Sequence, residues 1–216
     1  MSNYSQLRVR AYLQSGVISD QFLPLDAVLY YHLTRQIMGE KVISKPGESN
    51  VRQGANVTIP ILKAGPKDDA WFYHVSFAQW PENTVEDETF YVKKFALQRS
   101  GLIDHSTKKV TVNKGEYKAY HITEYYRHAL YVEWYCVARK EELENLLRFC
   151  THLGKKTSQG WGAVLNWEVI EWPEDWAIRG PGNRLMRAVP VRGDGFLYGV
   201  RPSYWNNRHI FPCKMP

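Results

Sequence analysis

The stretch "KEELENLLRFCTHLGKKTSQGWGAVLNWEVIEW", residues 140–172, predicts a helix, a glycine-rich loop and a strand in succession. Residues 140–153 repeat apolar side chains at helical spacing, which is typical of an amphipathic helix. Residues 162–172 are typical of a strand. The residues that share the apolar helical face are Leu143, Leu146, Leu147, Cys150 and Leu153.

The loop between the helix and the strand contains three glycines and a lysine pair. Gly154 stands where a helix C-cap glycine is expected, so it has a structural explanation. Gly160 and Gly162 bracket Trp161, and glycine permits positive φ and close approach of another chain. One interpretation is a tight turn with the tryptophan in the core. The other is a backbone platform for a phosphodiester chain, with the lysines neutralising phosphates and the tryptophan stacking a base.

Two phosphate-binding motifs are excluded at this loop. The G-x-x-x-x-G-K-[ST] order of a Walker loop is absent, because the lysines precede the turn and do not open a helix. The G-x-G-x-x-G order of a dinucleotide-binding fold is absent as well. The loop therefore favours a nucleic-acid chain over a bound nucleotide cofactor.

The remaining segments, taken in chain order, predict an α+β protein of the ferredoxin-like βαββαβ type. We expect one domain over residues 1–172, with a projecting hairpin inserted around 98–121. Residues 173–216 are rich in Pro, Gly, Arg and Trp and predict an irregular C-terminal extension packed on that domain. The elements expected before residue 140 are a strand at 7–18, a helix at 23–39, an edge strand or extended piece at 57–62, strands at 70–80 and 88–97, and a strand at 128–138.

Composition limits the classes of protein that fit. The 216 residues are 44% hydrophobic, which is enough for a core, and carry a net charge of +6, which favours polyanionic partners. Three cysteines without a C-x-x-C pair argue against a disulfide framework and a zinc ribbon, and fit a reducing cytosol. The polar start and the lack of a long apolar run predict a cytoplasmic protein without signal peptide or membrane span.

Three groups of residues resemble a known superfamily. "LGKKTSQGWGAVLNWEV" is similar to the glycine-rich loop of the repeat-associated mysterious proteins (RAMPs) of CRISPR systems. "SGVISDQFLPLDAVLYYHL" resembles the start of the first helix in the smaller effector subunits of that superfamily. "GEYKAYHITEYY", "NRLMRAVPV" and "RPSYWNNRHIFPC" look most like the Cas-five-like subunit of type IV CRISPR complexes.

This resemblance implies a ferredoxin-like RAMP fold and a non-catalytic role. Such a subunit is expected to hold the 5′ handle of the guide RNA (crRNA), cap a backbone of repeated subunits and contact the other backbone and large subunits. In some branches it also touches the duplex DNA beside the target. No cofactor or metal is expected. The residues predicted to contact RNA are Lys155, Lys156, Gln159, Gly160, Trp161, Gly162 and the arginines Arg8, Arg10, Arg184 and Arg187.

A metal-independent ribonuclease that processes the guide precursor is the alternative, because such enzymes share the fold and the loop. The reaction needs a base, an acid and a cation for the phosphorane charge. His32, Tyr30 or Tyr31 and Lys155 are candidates for these roles. However, His32 shares a helical face with Leu29 and other apolar residues, which favours a hydrogen-bonded, partly buried histidine.

A third possibility is an RNA binder of the RRM type, which uses its sheet face. That class requires aromatic side chains at paired positions on two adjacent central strands. The segment "FYVKKF", residues 90–95, interleaves aromatics and lysines and keeps this possibility open. The K/R-G-F-G-F consensus of that class is missing.

Overall fold

The computed structural model describes residues 3–38, 57–66, 69–95 and 118–216, and these residues form a mixed α+β fold. Short 3-10 turns occur at Thr157–Gln159, Pro181–Asn183 and Asn207–His209. The helices are α1 (Leu25–Met38) and α2 (Lys140–Leu147). The strands are β1 (Ser5–Leu13), β2 (Val17–Ile18), β3 (Lys63–Ala64), β4 (Phe72–Tyr73), β5 (Val85–Lys93), β6 (Tyr120–His128), β7 (Tyr131–Ala138), β8 (Val164–Glu171), β9 (Val189–Pro190), β10 (Phe196–Gly199) and β11 (Ile210–Lys214).

The central sheet has β1 in the middle, with β7 and β8 on either side and antiparallel to it. The predicted alternation is confirmed, because Leu7, Val9 and Ala11 point into the core. The strand predicted over 7–18 is interrupted after Leu13, and the chain resumes as β2. At the interruption, the Gly16 carbonyl accepts a hydrogen bond from the Gly162 amide of the glycine loop, so it is not part of the hydrogen-bond ladder of the sheet.

Both helices contribute apolar residues to one hydrophobic core with the central sheet. From α1, Leu25 and Leu29 are fully buried, and from α2, Leu143 and Leu147 are fully buried. Trp134 of β7 is also completely buried, and its indole Nε1 donates to the Leu23 carbonyl at 2.8 Å. This satisfies the one polar atom that the tryptophan brings into the core.

The helix predicted over 140–153 ends earlier, at Leu147. Residues beyond it pair with the start of β8: the amide of Leu153 donates to the Gly162 carbonyl at 2.8 Å, and that of Val164 donates to Thr151 at 2.9 Å. These hydrogen bonds compete with the last helical turns. Cys150 and Leu153 nevertheless remain buried in the same core, as the helical periodicity predicted.

The two segments that follow α1 are extended and lie against β7. Ile61 forms an antiparallel bridge with Ala138, which confirms an extended piece at 57–62. The strand predicted at 70–80 is present but irregular: β4 covers two residues, and Val75 and Gln79 then form single antiparallel bridges to β7. Between these bridges a side chain supplies one of the acceptors: Ser76 Oγ accepts a hydrogen bond from the Tyr135 amide at 2.9 Å.

A two-stranded ribbon extends from the body of the protein. β5 pairs antiparallel with β6 from Val85 opposite His128 to Lys93 opposite Tyr120, and β2 pairs with the base of β6. The strand predicted at 88–97 is thus confirmed within the described residues, although it begins earlier, at Val85. The hairpin predicted around 98–121 lies outside the described residues up to 117, and its last two residues belong to β6.

The C-terminal residues are more ordered than the sequence predicted. They form a three-stranded antiparallel sheet in the order β10–β11–β9 and a second, smaller core with Phe72 and Phe77. The expectation of an irregular extension was therefore wrong in part. These strands are two to five residues long and contain Pro190 and Pro212, so their sequences are too short to show the alternation of apolar and polar residues that predicts a strand. Within the described residues, no helix is both long enough and apolar enough to cross a bilayer.

Candidate nucleic-acid interface

The glycine loop is held against the turn between β1 and β2 by backbone contacts. The amide of Lys155 donates to Ile18 at 2.7 Å, and that of Gly162 donates to Gly16 at 2.8 Å. Gly154 has φ +72° and Gly162 has φ +70°. A Cβ would lie 2.1 Å from the Ile18 oxygen at the first and 1.9 Å from the Leu153 oxygen at the second. Both glycines are therefore required by the fold itself.

This finding changes the interpretation of Gly162, which was predicted to let a phosphodiester chain approach. The residue is buried, and the backbone that approaches it is that of Leu153. Direct contact between Gly162 and RNA is excluded by this burial. Its role is to shape the turn that presents the rest of the loop.

Gly160 is different, because its backbone faces open space. It has φ +89°, and no heavy atom of the described residues, its immediate neighbours aside, would lie within 4 Å of a Cβ placed there. Ser15 secures the backbone from below: its Oγ donates to the Gly160 carbonyl at 2.8 Å and accepts from the Ala163 amide at 2.9 Å. Gln159 is exposed beside it. This part of the loop is an accessible stretch of backbone that Ser15 anchors.

The two lysines lie at the surface with weak intramolecular partners. Lys155 Nζ is 2.7 Å from Asp20 Oδ1, and both side chains are largely exposed, at 51% and 79%. Lys156 adopts φ +57°, and its Nζ lies 4.7 Å from the centre of the Tyr91 ring on β5. An exposed ion pair contributes only about 0–1 kcal/mol and a cation–π contact near the surface about 0.5–1 kcal/mol, so a phosphate can compete for either lysine.

Trp161 connects the loop to the ribbon. Its ring is half-buried and lies 4.7 Å, centre to centre, from the Tyr126 ring of β6. Part of the indole surface is therefore already used in packing. Stacking of Trp161 on a base stays a prediction that concerns its remaining exposed surface.

The ribbon presents a second surface that the sequence indicated only in part. Residues alternate along β5 and β6, so the face opposite Tyr91 and Tyr126 carries other side chains. On that face Phe90 is 50% and Tyr125 is 70% exposed, and Phe90 stacks on His121 at 5.1 Å. The interleaved aromatics of residues 90–95 signalled this face, whereas Tyr125 was not singled out.

The predicted arginines on β1 have intramolecular partners. Arg10 donates to Glu133 Oε2 from both Nε (3.0 Å) and Nη2 (2.9 Å), and its guanidinium lies 4.1 Å from the Tyr131 ring centre. Arg8 donates to Glu168 at 2.8 Å. Their predicted contact with RNA remains a prediction, and it would require these carboxylates to release them.

The outer face of the central sheet pairs two aromatic residues on adjacent strands. Tyr12 of β1 lies opposite Tyr131 of β7, with ring centres 6.4 Å apart. Both rings are half-buried. This is the arrangement that a sheet-face RNA binder requires, although Arg10 covers part of the Tyr131 ring. The pairing depends on strand register, which the sequence did not reveal.

Of the two C-terminal arginines predicted to contact RNA, Arg184 and Arg187, the first is at the surface and the second is not. Arg184 is exposed and donates to Gln79 Oε1 at 3.0 Å. Arg187 is fully buried and donates to the carbonyls of Tyr73, Val75 and Val200. Its assignment to an RNA-binding surface was wrong. A single arginine in a Pro/Gly-rich segment gave no signal of burial, since its acceptors lie on other segments.

His32 occupies the position that its helical face predicted. It is half-buried, and its Nε2 lies 3.4 Å from the His152 carbonyl oxygen. Burial lowers the pKa of His32, and nearby Arg35 lowers it further, while the hydrogen bond to the carbonyl raises it. A histidine with a lowered pKa is mostly uncharged at neutral pH, which makes it a poor general acid. Within the described residues, no group of three His, Cys, Asp or Glu side chains is arranged to hold a metal ion.

Comparison of the sequence with known proteins identifies the family of this chain. A profile of the family described as CRISPR type IV associated protein Csf3 matches residues 5–216, which is nearly the whole chain. A search of curated proteins found no match. The profile match spans β1, both helices, the glycine loop and the C-terminal sheet. The chain belongs to the CRISPR type IV associated protein Csf3 family.

Proposed function

We propose that this protein is the non-catalytic guide-RNA-binding subunit of a type IV CRISPR ribonucleoprotein. In this role it holds the 5′ handle of the crRNA at the glycine loop and caps the backbone of repeated subunits. Membership of the Csf3 family supports association with a type IV CRISPR complex. Binding of RNA and the capping role are the further steps that we propose.

The observation that carries the proposal is the accessible backbone at Gly160 beside two surface lysines. A strand of RNA that crosses Gly160 meets no protein side chain there, while Lys155 and Lys156 are close enough in sequence to neutralise phosphates on that strand. Ser15 holds the backbone in place before RNA arrives. Such preorganisation reduces the entropy lost on binding.

The strand order supports a ferredoxin-like RAMP fold. β8, β1 and β7 lie side by side and antiparallel, and the extended chain at 75–79 bridges the outer edge of β7. In chain order this is fourth, first, third and second, with α1 after the first strand and α2 after the third. A split βαβ repeat has this connectivity. The C-terminal sheet and the ribbon are additions to it.

Other subunits of the complex are the expected protein partners. The ribbon extends from the domain and exposes Phe90, Val92 and Tyr125, and exposed apolar side chains of this kind favour contact with another macromolecule. Duplex DNA beside the target is a further expected contact of the same complex. The hydrogen bond between His32 Nε2 and a backbone carbonyl supports a structural role for this histidine and a subunit without catalysis.

The test compares RNA affinity over a range of salt concentrations for the full chain and two variants. The RNA is an oligonucleotide with the sequence that copurifies with the protein. Replacing Lys155 and Lys156 together with Gln removes two phosphate contacts, so the slope of log affinity against log salt falls by about 1–2. The control is Lys214→Gln, which removes an exposed cation from β11.

Equal slopes for the double variant and the control would exclude the loop from the RNA interface. The same samples also test catalysis. We expect the oligonucleotide to stay intact with and without a divalent metal. Cleavage at one phosphodiester that is lost on His32→Ala would favour the processing ribonuclease instead.

A further inference from the structure

A cleft of about 250 Å³ separates α1 from the glycine loop. One wall is α1, with Tyr31, His32 and Arg35 directed toward it, and the other wall is the chain from Thr151 to Thr157. Gly154 lines the cleft as well, so the loop that presents Gly160 also forms this wall. The cleft and the loop surface are therefore built from the same short stretch of chain.

The polar side chains that line the cleft share one property. They are hydroxyls, imidazoles and a guanidinium, and among the described residues that line the cleft none carries a carboxylate. Each of these groups can donate a hydrogen bond to an anion, and a guanidinium pairs with phosphate through two parallel bonds. The described residues that line the cleft are Leu23, Ala27, Val28, Tyr31, His32, Arg35, Thr151, His152, Gly154 and Thr157.

Contacts inside the cleft orient these donors. Arg35 Nη1 donates to the Tyr31 hydroxyl at 3.2 Å, and the Tyr31 and His32 rings meet edge to face at 5.3 Å. His152 Nδ1 lies 3.0 Å from Thr151 Oγ1. Arg35 is exposed at the mouth, where its charge also disfavours protonation of His32. An anion bound between them would offset this effect of the Arg35 charge.

We propose that this cleft binds one phosphate group of a nucleotide chain. Arg35 pairs with the phosphate oxygens at the mouth, and His152 and the threonine hydroxyls donate from the walls, with the His32 ring beside them. That the phosphate belongs to the RNA on the glycine loop rests on the proposed function. The phosphate-binding property of the cleft does not depend on it.

The size of the cleft fits this ligand. Sites for drug-sized molecules have volumes of about 300–1,000 Å³, so the cleft is too small for an extended ligand. It has the volume of about eight water molecules, which is room for a phosphate and part of a ribose. The neighbouring bases would then lie outside, toward Gly160 and the ribbon.

The experiment follows the histidine ring resonances of the full chain by NMR during titration with small probes. Uridine 5′-monophosphate supplies a terminal phosphate, the dinucleotide uridylyl-uridine supplies an internal one, and uridine supplies none. We expect saturable shifts of His32 and His152 with a dissociation constant on the order of 1 mM for at least one phosphate-bearing probe. Which probe binds distinguishes a chain end from an internal phosphate. Uridine at the same concentration should leave both resonances unchanged.

Arg35→Gln removes the charge and keeps a polar side chain at an exposed position, so this variant should fold. We expect it to weaken binding of the phosphate probe about tenfold. Arg192→Gln, an exposed arginine in the C-terminal segment, should bind like the parent protein. Absence of shifts with both phosphate probes, or equal binding by both variants, would overturn the proposal.

These outcomes separate the inference from the proposed function. If RNA affinity depends on Lys155 and Lys156 but neither phosphate probe shifts His32, only the cleft assignment fails. If the probes shift the His32 resonances but RNA affinity is unchanged by substitution of Lys155 and Lys156, the cleft binds phosphate and the RNA-binding proposal fails.

Discussion

Gly160 and Gly162 are two residues apart and share positive φ values, but a side chain would meet different surroundings at each position. At Gly162 a Cβ would collide with the Leu153 carbonyl, whereas at Gly160 it would point into open space. The sequence pattern treats the two glycines alike. The structure divides them into a residue that the fold requires and a residue that is exposed.

This difference predicts unequal stability effects of the same substitution. Gly160→Ala should lower the free energy of unfolding by about 1–2 kcal/mol, since only the left-handed backbone is strained. Gly162→Ala adds a backbone collision and should cost at least about 3 kcal/mol. Urea denaturation of both variants measures the difference. Equal losses would show that the loop rearranges freely and that the contact with Leu153 is not rigid.

The elements that sequence reasoning located well are those with long, regular periods. The alternation in β1 gave its buried face, and the spacing in α2 identified Leu143, Leu146 and Leu147 as core residues. Their boundaries were less predictable, because tertiary hydrogen bonds determine them. α2 ends where residues 151–153 pair with the start of β8, and nothing local to α2 signals that pairing.

The sequence predicted the residues of the loop itself, but not the residues from other segments that pack against it. The lysines, the glycines and Trp161 were visible as a motif. Their partners Ser15, Tyr91 and Tyr126 are between 35 and 145 residues away in the chain, so only the fold brings them to the loop. For the same reason, the ion pairs of Arg8 and Arg10 could not be anticipated.

At the scale of elements, the ring contact between Tyr126 and Trp161 couples the ribbon to the glycine loop. We expect a double-mutant cycle with alanine at both positions to give a coupling of about 0.5–1.5 kcal/mol in unfolding free energy. The control cycle pairs Trp161→Ala with Tyr125→Ala. Tyr125 neighbours Tyr126 but points to the opposite, exposed face, so its coupling should be near zero.

A coupling as small for Tyr126 as for Tyr125 would mean that the ribbon and the loop move independently. Coupling of the expected size has a functional consequence. RNA on the loop would then favour one orientation of the ribbon, and the ribbon would present Phe90 and Val92 to a neighbouring subunit in a defined position.

At the scale of the whole molecule, the C-terminal segment is tied to the domain by polar groups that are buried with it. The Tyr204 hydroxyl donates to the carboxylate of Asp26 at the start of α1, at 2.7 Å from Oδ2. Burial raises the pKa of the Asp26 carboxyl, whereas the charge of Arg187 and the hydrogen bond from Tyr204 lower it. These groups connect residues 178 positions apart in the chain.

Arg187 makes the clearest prediction at this scale, because its guanidinium donates to three carbonyls on two separate segments of the chain. Arg187→Met keeps an unbranched side chain that can stay buried but leaves the carbonyls of Tyr73, Val75 and Val200 without this donor. Each buried acceptor that loses its partner costs about 1–3 kcal/mol, so we expect a loss of at least 3 kcal/mol in the free energy of unfolding. Arg184→Met, at an exposed arginine three residues earlier, should change it by less than about 1 kcal/mol.

Denaturant unfolding followed by tryptophan fluorescence gives both values. Because Arg187 lies between the central domain and the C-terminal sheet, we also expect the m-value of Arg187→Met to show whether the two parts unfold together or one after the other. A lower midpoint with an unchanged m-value indicates that both parts still unfold together. A reduced m-value indicates that the C-terminal sheet detaches first. Equal stability of the Arg187 and Arg184 variants would contradict the structural role of the buried guanidinium and reopen the question of its exposure to RNA.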